Sequence, residues 1–316
     1  MKRKKLVLLV SAIVLLGGYS AGIYANMTQP QDELTQKQID NPNTERNQTD
    51  IAKSVLDSTG RSEQYDLNDL EEVTVYVGSE ATNSEDNAVV TLNFGPKNTV
   101  VAVYRSDGSV YEFTGDLGDF YGVENVTFVP VEGLGKEVVI VQERVNQSLG
   151  SFEETDVVRG YMYDGEKFQS VLNTPQKIQS SWNDVWNKGL NEPSLWRRVT
   201  EETESKWIGG EDPYFQVTRY QTYLESDNKD EMVEPKDDTF EQKDERIVVE
   251  RFYWSEEWQR FILKEAIEKE TGEKVAIVEN LQASAYQLAG FEDTEDYGIV
   301  RKDGSFDYVR KDDLEF

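Results

Sequence analysis

The chain holds 61 aspartates and glutamates and six tryptophans, but no cysteine and no histidine. These residue types set the chemistry open to it. Carboxylates serve glycoside hydrolysis in pairs, one on each side of a cleft. Adjacent acids stand at Glu153 and Glu154, at Glu201 and Glu202, and at Glu256 and Glu257. At this abundance such neighbours arise by chance, so they name no catalytic residue. Without Cys or His the chain has no disulfide, no Cys/His zinc site, no thiol nucleophile and no imidazole base. Ser226 and Lys229 share the spacing of serine acyl-enzymes, and Lys269–Gly272 is superficially like Lys-Thr-Gly. That chemistry needs its serine at a helix start in a packed cleft, and Ser226 falls in a strongly acidic stretch. Gly115, Gly118 and Gly122 fit neither a dinucleotide fingerprint nor a phosphate loop, and the acidic loops lack the EF-hand pattern. No catalytic residue, metal site or cofactor is expected.

Aromatic residues are the other chemically useful surplus: 16 tyrosines and 13 phenylalanines accompany the tryptophans. Trp182, Trp186, Trp207, Trp254 and Trp258 are the candidate ligand-binding residues, since an exposed indole face stacks on a sugar or a peptide. The same residues fill a core equally well, and Trp182 and Trp186 stand at helical spacing.

The elements that must position these groups begin with an address. Lys2, Arg3, Lys4 and Lys5 precede the uncharged run Leu6–Ala25. At about 1.5 Å per residue that run just crosses a hydrocarbon core about 30 Å thick. It reads as a signal anchor that leaves the cations in the cytoplasm and the remainder outside, or as a signal peptide cut after Ala25. Either way the body is extracytoplasmic, and no cysteine is present to carry a lipid. The net charge is −28, and the four cations of the first 25 residues are unopposed there, so the acidity lies entirely in the body. Such a surface repels nucleic acid and anionic lipid heads. An exported chain without disulfides suits a bacterium with a single membrane.

Residues 26–48 are polar, rich in Gln, Asn and Thr, and read as a flexible stalk. Ile51, Ala52, Val55 and Leu56 share one face of a short helix that stops at Gly60. Alternating β-rich runs follow over 73–77, 88–94, 99–105 and 110–113, then 123–131, 136–143, 157–163 and 166–172. Asp107-Gly108 and Asp164-Gly165 mark hairpin turns, because Asp-Gly supplies the positive φ such turns need. Residues 174–190 change period: Pro175 suits a first helical turn, and Ile178, Trp182, Val185 and Trp186 lie on one helical face. This helix is expected to separate a first half, 49–192, from a second, 193–316. The second half has strands over 196–207 and 214–224, a mobile acidic loop over 225–245, and a strand over 246–254. Residues 255–270 fit a helix or a hairpin, the hairpin being favoured. A short helix within 276–291 and a hairpin turning at Asp303-Gly304 complete the chain. The fold class is mainly β: antiparallel hairpins, propeller-like or in a twisted sheet, with few helices.

Residues 157–172 and 248–263 echo one another, each setting an aromatic strand end against a returning Phe-bearing strand. With Val129–Val141 and the Tyr163–Phe168 turn, this resembles a degenerate blade of the FG-GAP/VCBS-like β-propeller repeats of exported bacterial proteins. In that family an Asp-rich loop before the Glu-Ile-Val strand often holds calcium. Here Glu132 is the one acid before Lys136, so calcium is not implied. The resemblance implies binding and scaffolding. The sequence therefore predicts a non-catalytic binding protein of the cell envelope, tethered to the membrane through Leu6–Ala25. Its partner would be an envelope protein or a cell-wall glycan, and not nucleic acid. The alternative is a carbohydrate binder or glycoside hydrolase that uses tryptophan and paired carboxylates.

Overall fold

The computed structural model describes residues 33–78, 87–95, 98–131, 135–147, 152–185, 195–209, 213–228, 230, 232–290 and 295–316. The run Leu6–Ala25 and the first residues of the expected stalk lie outside them. Among the described residues no helix is long and apolar enough to cross a membrane. The chain is mainly β and divides into two compact units, one ending at Gly122 and one running from Val123 to Phe316.

The first unit is a five-stranded antiparallel sheet with two helices. β1 (Glu33–Thr35), α1 (Gln36–Asp40) and α2 (Glu45–Ser58) precede β2 (Glu72–Val77), β3 (Asn87–Asn93), β4 (Thr99–Ser106) and β5 (Val110–Phe120), in the sheet order β1-β5-β4-β3-β2. The stalk expectation is corrected from Glu33 onward. Thr35 and Thr44 are caps: Thr35 and Gln38 form a reciprocal capping box on α1, and Thr44 accepts from the Asn47 amide at the start of α2. Leu34 and Ile39 bring the segment into a core with Ile51, Val55, Val90, Leu92 and Tyr104. The apolar face read for α2 is the face that is buried.

In the second unit β6 (Val123–Val131), β7 (Lys136–Gln147), β8 (Phe152–Tyr163), β9 (Phe168–Asn183), β10 (Trp196–Ile208), β11 (Tyr214–Ser226), β12 (Glu241–Ser255) and β13 (Arg260–Ile262) form one sheet. Every neighbour in it is the next strand in sequence, so it is an up-and-down meander. A smaller sheet follows, with β14 (Lys264–Glu268), β15 (Lys274–Asn280), β16 (Asp296–Val300), β17 (Phe306–Arg310) and β18 (Leu314–Glu315) in the order β17-β16-β15-β14-β18. The echoing segments are the β8–β9 and β12–β13 hairpins of the larger sheet. Residues 256–259 are the turn of the second, between the paired Ser255 and Arg260, as the hairpin reading requires. The short helix expected within 276–291 takes 3-10 form: β15 runs into two 3-10 turns, Leu281–Ala283 and Ala285–Ala289.

The helix expected over 174–190 is corrected: residues 174–183 are the second half of β9. Ile178, Ser180 and Trp182 alternate as a strand requires, and the Ile178–Trp182 spacing that imitates a helical face is also two strand repeats. Pro175 is accommodated at a bulge. The partners step from Asp156 with Lys177 to Val157 with Pro175, and pairing with β10 ends at Lys177, so the missing N–H interrupts no ladder there. β9 and β10 thus belong to one sheet on either side of the residue 192/193 boundary expected between halves.

Candidate functional site

The larger sheet has two faces of different character, and register assigns each residue to one of them, because directly paired residues point the same way. One face, here the inner, bears the two 3-10 turns. It carries an apolar cluster that includes Phe215, Val217, Phe252 and Phe261, and a second that contains Trp182, Val199, Tyr223 and Ala285. Between them lies a buried polar band. Arg219 donates to Glu201 Oε1 at 2.8 Å, to Glu250 Oε2 at 3.1 Å and to Thr174 Oγ1 at 3.2 Å. Gln221 donates to Glu201 and to the Ala283 carbonyl, the latter at 2.6 Å. Arg246 donates to Gln221 Oε1 and to the Ser284 carbonyl, both at 2.6 Å. The band therefore holds the segment 281–289 against the sheet.

Burial governs the titration of this band. It would lower the Arg219 guanidinium, but the charges of Glu201 and Glu250 prevail and hold it above its ordinary value. Glu250 is raised by burial despite Arg219, and Glu153 is raised by burial with only hydrogen bonds opposing it. Glu279 is raised by burial and accepts from Tyr308 at 2.9 Å. Raised carboxylates beside an arginine are the electrostatics of many active sites. Here, however, Glu201, Glu250, Glu153 and Arg219 are buried, and Arg219 is locked between Glu201 and Glu250. The arrangement fixes strands and turns, and offers a substrate no approach.

The opposite, outer face is open. A transverse row of paired residues crosses it: Arg144 on β7, Asp156 on β8, Lys177 on β9, Glu202 on β10, Tyr220 on β11 and Ile247 on β12. Over the charged end of the row lies a groove of about 400 Å³ lined by Glu124, Asp156, Lys177, Glu202, Glu204 and Tyr220. Arg144 bridges Glu124 at 2.8 Å and Asp156 at 3.0 Å, and the Tyr220 hydroxyl donates to Glu204 at 3.3 Å. The four carboxylates exceed Lys177 and Arg144 by two charges. Beside the groove, Tyr220, Ile247, Val249 and Tyr253 are 42, 65, 52 and 38% exposed. Val249 pairs with Thr218, and Tyr253 with Tyr214, whose ring is 5.5 Å from its own. At one end of this face the acidic loop expected to be mobile is fastened down: Arg198 binds Glu234 at 3.0 Å and Asp237 at 2.6 Å, and Trp196 donates to the Asp230 carbonyl at 2.7 Å.

The tryptophans singled out in the sequence lie elsewhere. Trp207 and Trp254 meet around Phe261, with ring centroids 5.8 and 5.3 Å from it. Trp182 is buried 6.2 Å from Tyr286. Trp258 is buried, donates to Glu265 at 3.0 Å and carries the Lys302 ammonium 3.9 Å from its ring centroid. These four do not converge on one cleft, and Trp186 lies outside the described residues. Of the paired acids, Glu153 and Glu201 face the buried band, and Glu202 faces the groove. Among the described residues no group of acids has the arrangement to hold a metal ion. Comparison with protein-family models, curated proteins and solved structures returns no match.

Proposed function

We propose that the chain is a non-catalytic binding protein of the bacterial cell envelope. Its body is extracytoplasmic, held at the membrane by Leu6–Ala25, or secreted where the chain is cut after Ala25. The basic cluster and uncharged run at the N-terminus support the location. The likeness of the hairpin echo to FG-GAP/VCBS-like propeller repeats supports a binding and scaffolding role. The observation that carries the reading is the contrast between the two faces of the eight-stranded sheet. The acids that burial raises, Glu153 and Glu250, are enclosed, while the open face offers a shallow groove and uncovered apolar side chains. That is the composition of a recognition surface.

The groove's carboxylates favour one second reading, a cell-wall glycan binder or hydrolase. Incubating the full chain with cell-wall glycans, and watching tryptophan fluorescence and released sugar together, separates the two. The binding-protein reading expects no turnover. Hydrolysis abolished by Glu202→Gln or Glu204→Gln would overturn it.

A further inference from the structure

We propose that the outer face of the eight-stranded sheet docks a segment of a partner protein that is both cationic and apolar. Its cations enter the groove at Glu202 and Glu204, and its apolar side chains cover Ile247 and Val249. This inference rests on the binding-protein reading and names the surface and the chemistry of the partner.

Scattered exposed apolar residues are ordinary on a protein surface, whereas aligned ones mark interaction sites. Register aligns these. Tyr220 pairs with Glu202 on one side and with Ile247 on the other, so a single tyrosine lines the groove and borders the apolar strip. Thr218 in the same way joins Glu204 to Val249. From Glu204 on β10 to Val249 on β12 is two strand spacings, about 10 Å, the reach of three extended residues. A short segment lying across the strands would therefore meet carboxylates first and aliphatic side chains next. Farther along β12, Arg251 stands 5.2 Å from the Tyr214 ring centroid and closes the strip with a positive charge.

Charge selects among the occupants. The chain carries a net −28 and the groove an excess of carboxylates. A second copy would set acid against acid, and an anionic lipid surface would be repelled. A basic segment gains from the same field, and an apolar component is needed to cover Ile247 and Val249.

The test uses the full chain in detergent and three fluorescent decapeptides: alternating Lys and Leu, alternating Lys and Ser, and alternating Glu and Leu. The Lys–Leu peptide is expected to bind at least about tenfold more tightly than either of the others. Ile247→Thr with Val249→Thr is expected to weaken it about tenfold, the equivalent of one buried aliphatic side chain. Glu202→Gln with Glu204→Gln is expected to weaken it comparably and to flatten its salt dependence. These positions are exposed and threonine keeps the β-branch, so the variants fold. Folding is checked by thermal melting. The proposal is overturned if the Lys–Ser peptide binds as well as Lys–Leu, if neither pair of substitutions changes binding, or if the apolar strip instead drives self-association or binding to anionic vesicles. Loss of this surface with glycan turnover still absent leaves the binding-protein reading standing. Glycan turnover removes that reading itself.

Discussion

Arg219 on β11 donates to Glu201 on β10 at 2.8 Å, with both side chains enclosed by the sheet and the turns packed on it. Removing charges from water is expensive, and the pair is tolerable because every partner is present: Glu250 and Thr174 on the guanidinium, Gln221 on the carboxylate. Truncating one member leaves an uncompensated buried charge. Arg219→Ala is therefore expected to destabilise the second unit by about 3–5 kcal/mol. Arg219→Met combined with Glu201→Gln and Glu250→Gln should recover much of the loss. Urea denaturation of the three proteins measures both effects.

Glu153 makes the opposite prediction. Burial raises its carboxyl above the ordinary value of 4.5. Between that value and the folded one, the folded protein holds a proton that the unfolded chain has released, so stability falls as pH rises through this window. Glu153→Gln should remove that part of the pH dependence and be more stable than the parent at neutral pH. Melting temperatures of both proteins from pH 4 to pH 8 check it.

The segment 281–289 depends on Gln221 and Arg246 for its place on the sheet. Gln221→Ala leaves the Ala283 carbonyl and one Glu201 oxygen without this donor, a loss of about 1–3 kcal/mol. Hydrogen exchange should rise first in 281–289 and leave β7 and β8 protected.

Gly298 on β16 lies opposite Glu279. A Cβ at that position would stand 2.9 Å from the Glu279 Cβ and 3.0 Å from the Phe306 ring. Gly298→Ala should destabilise by about 1–3 kcal/mol through overpacking, and disturb the Tyr308–Glu279 hydrogen bond. The intrinsic fluorescence and thermal midpoint of the variant report it.

Local signals made much of the fold legible in the sequence. Asp107 accepts from the amides of Ser109 and Val110 at 2.8 and 2.9 Å, and Gly108 takes a φ of +91°, the chemistry that marked the hairpin in advance. Non-local relationships were not legible. Arg219 reaches Glu201 over 18 residues and Glu250 over 31, and nothing in the chain distinguishes these two acids from the rest. The one available sign was parity: Arg219 and Gln221 share the parity of Val217 and Tyr223, which puts all four on the buried face of β11. The same parity, read in β9, would have separated strand from helix over 174–183. The tryptophans drew attention as ring surfaces, yet the open face is built from Tyr220, Ile247 and Val249. Only the register of β11 with β12 brings those together.

The most direct test of the account places a photoreactive side chain at Val249 of the full chain in native membranes, with Glu112 of the first unit as the control position. The account predicts an adduct from Val249 alone. Its partner peptide should carry Lys or Arg near apolar residues, and its yield should fall with Glu202→Gln and Glu204→Gln. Equal adducts from both positions, or an adduct indifferent to the two glutamates, would contradict it.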